Sequence, residues 1–542
     1  MDAVTTVPAP VNEPVLDYAP GSAERADLQV RLTELWAERP DLPNWIDGRQ
    51  MMGGGRRTRV VAPFEHRHVL GVLKGATAKD AAAAVAAAKR AAPGWRALSQ
   101  DDRAAVFLKA AELLSGPWRQ TLNAATMLGQ AKTAVQAEID AACELIDFWR
   151  FNVHFAGQIH REQPMANSKG IWNRSDHRPL EGFVYAISPF NFTAIGGNLP
   201  TAPALMGNTV VWKPSPTQAL SAHYTMALLE AAGLPPGVIN LVHGDGIAVS
   251  DVLLADRDLA GIHFTGSTPT FQHLWRTVGQ NIDRYRTYPR IVGETGGKDF
   301  ILAHPSADVD VLRTAMVRGA FEYQGQKCSA ASRAYVPKSL WKKLRDDLVS
   351  LTDSLPMGAP TDFSNFMSAV IDDRAFAKHA EAIDRAHATP AIRVLAGGSY
   401  DDSVGYFVRP TVIESSDPSD AIFSTEYFGP ILSVHAYDDR RYDAVVDQME
   451  SVASYALTGA VIATDREAVA LASEKLRYAA GNFYVNDKPT GAVVGQQPFG
   501  GGRASGTNDK AGAPSNLMRW TSTRSIKETF VPPTDHRYPH MG

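Results

Sequence analysis

A chain of 542 residues exceeds what one hydrophobic core serves, because cores stop growing near roughly 250–300 residues, so two or three domains are expected. Hydrophobic residues at 44% and charged residues at 21% are ordinary for a soluble globular protein. The 54 basic and 58 acidic residues leave −4, and no basic run stands out, which argues against nucleic acid or an anionic membrane as partner.

The first twenty residues, "MDAVTTVPAPVNEPVLDYAP", carry only the acidic charges Asp2, Glu13 and Asp17 and lack a long apolar stretch, so they read neither as a secretory signal nor as a transit peptide. Pro8, Pro10, Pro14 and Pro20 favour an extended arm on the surface, taken as residues 1–44. "ATAKDAAAAVAAAKRAAPGW" reads as a helix with Thr77 and Asp80 at capping-box spacing, ended by Pro93 and Gly94. "SQDDRAAVFLKAAELLS" repeats the pattern with Ser99 and Asp102, and puts Val106, Leu108, Leu113 and Leu114 on its apolar side. "AEIDAACELIDFWRFNVHFAG" is a third helix. Cys143 within it reads as a small buried apolar residue.

The texture then changes. Residues 182–212 carry no charge, but Pro189, Pro200 and Pro203 interrupt them. A membrane span needs about 20 continuous apolar residues, so the segment reads as strand, loop, helix and strand. Apolar β-rich runs at 183–189, 209–215, 238–244 and 261–267 alternate with helical stretches. That pattern gives a parallel sheet with helices on both faces and a ligand site at the carboxyl ends of its strands. A second α/β series follows Gly293: "DFILAHP", "SRAYVP", a helix from near Lys338, then "FVRPTVI", "GPILSVHAY", "TGAVIAT" and "GNFYVND". Residues 154–179, with little periodicity, and the tail after Asn508 fit neither sheet and read as a small oligomerisation element.

There are two cysteines, Cys143 and Cys328. They form no disulfide framework and no metal-ligand spacing, and both fit a reducing compartment. Cys328 sits in "GQKCS", where small neighbours admit a substrate and Lys327 can favour a thiolate; the bland reading is packing. Glu294 lies in the glycine-rich "VGETGGKDF" and, if partly buried, is a general base near neutral pH. Asn191, in "SPFNFT", follows a strand and can donate to an oxyanion, or simply make a turn. Gly266 and Ser267 in "FTGS" precede a helix whose N-terminus suits phosphate. Lys213 and Ser215 end the neighbouring run, and "TEYFGP" adds Glu426 and Phe428.

The order and spacing of these six elements resemble the aldehyde dehydrogenase superfamily from about residue 45 to the C-terminus. The resemblance implies an α/β fold with a Rossmann-like dinucleotide-binding domain (45–153 and 180–293), a second α/β catalytic domain (294–507), and an oligomerisation element (154–179 and 508–542). It implies NAD as cofactor, Cys328 as nucleophile, Glu294 as the activator of water and Asn191 as oxyanion donor. Lys213 and Ser215 would meet the adenine ribose, Gly266 and Ser267 the pyrophosphate, and Glu426 with Phe428 the nicotinamide ribose. Two positions depart from the general pattern: Pro216 stands where many members have a ribose-binding Glu, and Phe271 where many have a second Gly.

Both departures, together with "GQKCSAASR", "KPTGAVVGQQPFGGGRASGTNDKAG" and "RWTSTRSIKE", resemble one branch, the L-glutamate γ-semialdehyde (1-pyrroline-5-carboxylate) dehydrogenases. For that branch, the backbone N–H groups of Gly491 and Ala492 and the Ser329 hydroxyl would hold the substrate α-carboxylate, between Phe192 and Phe499. The implied activity is oxidation of the semialdehyde to glutamate, the second step of proline breakdown. A cytoplasmic homodimer or larger homo-oligomer is implied, with transient association with proline dehydrogenase and no metal. The alternatives are a dehydrogenase for another semialdehyde such as succinate semialdehyde, and a catalytically silent dinucleotide-binding homologue.

Overall fold

The computed structural model describes residues 4–542. Two seven-stranded sheets dominate it. The first runs, in spatial order, Arg290–Glu294, Leu259–Thr265, Phe183–Ser188, Thr209–Pro214, Ile239–Leu241, Asn44–Ile46 and Arg49–Met51. Its first five strands are parallel and the last two join antiparallel. The strand Phe183–Ser188 is buried on both faces, which is why it reads as an unbroken apolar run. Val184 and Ala186 pack with Trp95, Phe107 and Trp149 on one side; Phe183 and Tyr185 pack with Ile262, Phe264 and Leu274 on the other. Chain order reverses across this strand, between Thr209–Pro214 and Leu259–Thr265, so a crevice opens there at the strands' carboxyl ends.

The second sheet runs Ile392–Ala396, Thr411–Ser415, Ile431–Tyr437, Ala331–Pro337, Asp299–Ala303, Thr458–Ile462 and Asn482–Val485. All its pairings are parallel except the first. Phe300 and Leu302 face one apolar layer, Ile301 and Ala303 the other. Only Thr295–Lys298 separates the last residue of the first sheet's edge strand, Glu294, from the first residue of the second sheet's Asp299–Ala303. The carboxyl ends of one sheet therefore meet the amino ends of the other.

Several local expectations are corrected. The N-terminal arm is not extended throughout: Ala23–Glu38 is a helix capped by Ser22, with Leu28, Leu32 and Leu35 buried. Nor does the arm merely lie on the surface, since Tyr18 is buried against Glu138 and Asn123. The helix capped by Thr77 and Asp80 continues through Pro93 to Ala97, because buried Trp95 anchors its end by donating to the Ala204 carbonyl at 2.8 Å. In Gln100–Ser115 the buried stripe is Arg103, Ala104, Phe107, Ala110, Ala111 and Leu114; Val106, Leu108 and Leu113 are only partly covered. Residues 154–161 are the last turns of the helix Glu144–Arg161, which a π-helical turn, Glu138–Cys143, precedes. Ile171–Pro179 does form a separate two-stranded ladder, with Thr521–Thr529.

Candidate active site

Six segments converge on the seam between the sheets. Asn191 follows the strand Phe183–Ser188 and is buried, its Nδ2 donating to the Gln326 carbonyl at 2.9 Å. Cys328 lies just before the strand Ala331–Pro337, on a segment bent by Tyr323 and Gln324 in left-handed backbone. The residue is buried, 6% exposed. Burial first pushes the thiol's pKa up, and the carboxyls of Asp299, Glu294 and Glu144 add to this when ionised. Lys327 does not act as the expected thiolate partner. Its ammonium lies 3.7 Å from Asp140 and 3.6 Å from Glu322, two carboxylates that already engage it.

Glu294 ends the strand Arg290–Glu294 and is half-buried. Its Oε2 accepts the Gly501 N–H at 3.0 Å, and its pKa stands well above the usual carboxylate range because burial outweighs that bond and the Lys510 charge. The expected partial burial and raised pKa are both present. Lys510 was not singled out in the sequence. Its ammonium donates to the Gly481 and Gly500 carbonyls at 2.8 and 2.9 Å and so holds the glycine-rich segment behind Glu294.

The residues expected at the dinucleotide line the carboxyl ends of the first sheet. Lys213 is buried, its ammonium 3.4 Å from the Pro214 carbonyl, and desolvation lowers its pKa to about 8. Ser215 bonds the Thr217 hydroxyl and precedes a short 3₁₀ turn begun by Pro216. Gly266 donates to the Glu294 carbonyl at 3.1 Å, and Ser267 caps the helix Thr268–Gln280. Phe271, in place of a glycine, stacks on Phe264 at 5.3 Å and covers Gly293. Across the seam Glu426 is fixed by three N–H donors: Gly297 at 2.9 Å and Lys298 at 2.6 Å on Oε2, Phe428 at 3.0 Å on Oε1. The Phe428 ring meets Phe190 edge-on at 5.8 Å. A lone buried ammonium, a helix N-terminus and an oriented carboxylate, spaced along one crevice, form a donor set that fits a dinucleotide.

On the other side of the sulfur, the Ser329 hydroxyl bonds Thr490 Oγ1 at 2.8 Å. Gly491 takes φ +99°, a backbone that a side chain would strain. Among the described residues the N–H groups of Gly491 and Ala492 have no partner, so both are open donors. Phe499 pairs with Ala511 by backbone bonds at the far end of the loop. Phe192 borders the site from the first sheet's side, its ring 4.1 Å from the buried Lys132 ammonium. Glu144 was missed in the sequence. It is half-buried, its charge reaches Cys328, and burial followed by Asp140 raises its pKa well above normal. Among the described residues it has no ion-pair partner, and nothing in its helical sequence context signalled this. Cys143 is buried as expected, but in polar company: its Sγ lies 3.5 Å from Glu138 Oε1 and from Arg119.

The aldehyde dehydrogenase family profile matches residues 50–526. The mitochondrial delta-1-pyrroline-5-carboxylate dehydrogenase of Bos taurus is 50% identical over 531 residues, covering 98% of this chain and 94% of that one. A crystal structure of the delta-pyrroline-5-carboxylate dehydrogenase from Mycobacterium tuberculosis, bound with NAD, superposes with a TM-score of 0.97 at 64% identity over the whole of both chains. Proline utilization A from Bdellovibrio bacteriovorus superposes at 0.91 with 29% identity, covering 97% of this chain and 54% of that one. The chain belongs to the aldehyde dehydrogenase family, among its delta-1-pyrroline-5-carboxylate dehydrogenases.

Proposed function

We propose that the chain oxidises L-glutamate γ-semialdehyde, the hydrolysed form of 1-pyrroline-5-carboxylate, to L-glutamate with NAD, using Cys328 as nucleophile. The observation that carries this reading is the convergence of Cys328, Glu294 and Asn191 at the seam of the two sheets, beside open backbone donors at 491 and 492. The structures named for NAD-bound relatives support the cofactor.

Lys213 would hold the adenine ribose, the Gly266–Ser267 turn the pyrophosphate, and Glu426 the nicotinamide ribose. NAD, when bound, supplies the hydride acceptor. The Cys328 thiol gives its proton to solvent water and the sulfur attacks the aldehyde carbon, giving a thiohemiacetal whose oxyanion is met by the Asn191 amide and the Cys328 N–H. Loss of hydride from that carbon leaves a thioester on Cys328. Glu294 then takes a proton from water, and the hydroxide displaces the sulfur and releases the acid. The thiol's raised pKa means that the neutral form rests in the free enzyme, which protects it from oxidation.

Specificity follows from the pocket's polar groups. Gly491, Ala492 and Ser329 face the α-carboxylate, Glu144 faces the α-ammonium, and Phe192 and Phe499 enclose the methylenes. A substrate lacking the carboxylate leaves those donors unpaired, at a cost of about 1–3 kcal/mol each. That arrangement favours an amino-acid semialdehyde over succinate semialdehyde, which has no ammonium to pair with Glu144.

The strands Ile171–Pro179 and Thr521–Thr529 form an exposed ladder with Trp172 open to solvent, which supports association of two or more copies through it. Both cysteines are free, which supports a reducing compartment such as the cytoplasm, and among the described residues no helix is long and apolar enough to cross a membrane. The similarity to proline utilization A supports transient association with proline dehydrogenase. The deciding experiment is a steady-state assay of wild type and Cys328→Ala with pyrroline carboxylate and NAD. Loss of all turnover in the variant is expected; comparable kcat/KM for propanal and the semialdehyde in the wild type would refute the substrate.

A further inference from the structure

Asp299 opens the second sheet next to the sulfur and is 1% exposed. Its Oδ1 accepts the Thr458 N–H at 2.6 Å. Its Oδ2 is buried and has no partner among the described residues. A Cβ built on Gly297 would collide with both Asp299 Oδ2 and the Cys328 carbonyl oxygen. The two oxygens therefore crowd the same bare Cα. Among the described residues no N–H or O–H donates to that carbonyl.

Two acceptors brought together in a dry site repel each other unless one carries a proton. A carbonyl cannot supply it; a carboxyl can. The nearby cations are engaged elsewhere. Lys298 Nζ donates to Ser332 Oγ at 2.7 Å and lies 4.7 Å from the centre of the Tyr427 ring. Arg333 donates to the Lys298 and Met449 carbonyls, both at 2.9 Å. Neither makes an ion pair with Asp299. The other groups that face it are the Glu426 carboxylate, the Cys328 thiol and the Tyr484 hydroxyl.

We propose that Asp299 is held as the neutral carboxylic acid and donates its Oδ2 proton toward the Cys328 carbonyl, which positions the nucleophile without placing a charge beside it. Asp299 is thus a positioning residue for the reaction proposed above, on which this inference rests. Burial, and then the Glu426 charge, raise its pKa well above normal, in the same direction as the geometry. An ionised Asp299 would be the strongest single charge opposing the thiolate.

Asp299→Asn tests this, because an amide keeps the Oδ1 acceptor and places an N–H donor where the proton stood. Two readouts are needed. The first is the infrared band of a protonated carboxyl at neutral pH, which needs no turnover and so stands apart from the identity of the nucleophile. The second is the pH profile of Cys328 alkylation by iodoacetamide, followed on the Cys328 peptide so that Cys143 does not interfere. The expected result is a protonated-carboxyl component in the wild-type minus Asp299→Asn difference spectrum, where the Glu294 and Glu144 contributions cancel, with superimposable alkylation midpoints and kcat kept within about threefold; Asp299→Ala, which removes the donor, loses about tenfold or more in kcat. No carboxyl component in that difference spectrum, or an alkylation midpoint lowered by about one pH unit in Asp299→Asn, shows that the group is ionised and overturns the proposal.

Discussion

The Asn191 side chain donates to the Gln326 carbonyl at 2.9 Å, which ties the carboxyl end of the first sheet to the chain two residues ahead of Cys328. One amide thus ties the proposed oxyanion donor to the segment that carries the sulfur. Both groups are buried, so neither can be reoriented without disturbing the seam.

Replacing Asn191 by Ala removes that donor and loosens the nucleophile's segment together. The expected loss is roughly 10²–10³ in kcat, from one oxyanion donor. Asn191→Asp keeps the shape but puts a carboxylate opposite a developing negative charge, so it recovers none of the rate. Single-turnover NADH formation separates this from a hydrolysis defect, because the Asn191 variants lose the burst itself.

In the proposed mechanism Glu294 acts after hydride loss, so its removal has a different signature. Glu294→Gln retains a burst of one NADH per site and then turns over on the order of 10²–10⁴ times more slowly. The raised Glu294 pKa also fixes the sign of the pH dependence. Water activation needs the ionised carboxylate. Hydrolysis in the wild type therefore climbs as pH rises through a midpoint well above the usual carboxylate range, and Glu294→Gln loses that limb. A limb that persists in the variant would assign it to another group.

How much of this was legible beforehand depends on the range of the forces involved. The strands of both sheets were readable because burial on two faces writes a continuous apolar run, as in Phe183–Ser188. That Asn191, Glu294 and Cys328 lie near strand ends was legible because their short motifs adjoin the apolar runs. The helix end at Pro93 was misplaced because the deciding contact, Trp95 to Ala204, spans 109 residues. Lys327 was misjudged for the same reason: Asp140, which engages it, comes from a distant π-helical turn. Glu144 and Lys510 gave no local signal, since an isolated charge on a helix or loop normally faces solvent.

Ser329 bonds the hydroxyl of Thr490, the residue just before the 491–492 donors. Ser329→Ala removes one hydrogen bond to the substrate carboxylate. An expected penalty of about 1–2 kcal/mol corresponds to a 5- to 30-fold rise in KM for the semialdehyde. KM for NAD and the rate with propanal should not change. An equal loss for propanal would show that the hydroxyl serves the sulfur rather than the carboxylate.

The N-terminal arm supplies the last test, through Arg119. This guanidinium is 5% exposed and contacts Glu138, donates to Glu13 at 2.5 Å, and donates to the Pro14 carbonyl at 2.8 Å. Glu138 also accepts from Tyr18 and from the Leu16 N–H, so one buried pair pins residues 13–18. Burial alone would raise the Glu138 pKa, but the bonds from Arg119 and Leu16 outweigh it and the net shift is downward. A carboxylate with a depressed pKa stabilises the fold above its unfolded value, and that contribution is lost as pH falls through the lowered folded value. Glu138→Gln leaves Arg119 with Glu13 as its remaining carboxylate and should cost about 1–3 kcal/mol in urea unfolding at neutral pH. The deficit should begin to shrink as pH falls below the unfolded carboxylate value of roughly 4.3 and vanish only below the lowered folded value. A constant deficit from pH 7 to 3 would show that the cost is packing rather than charge.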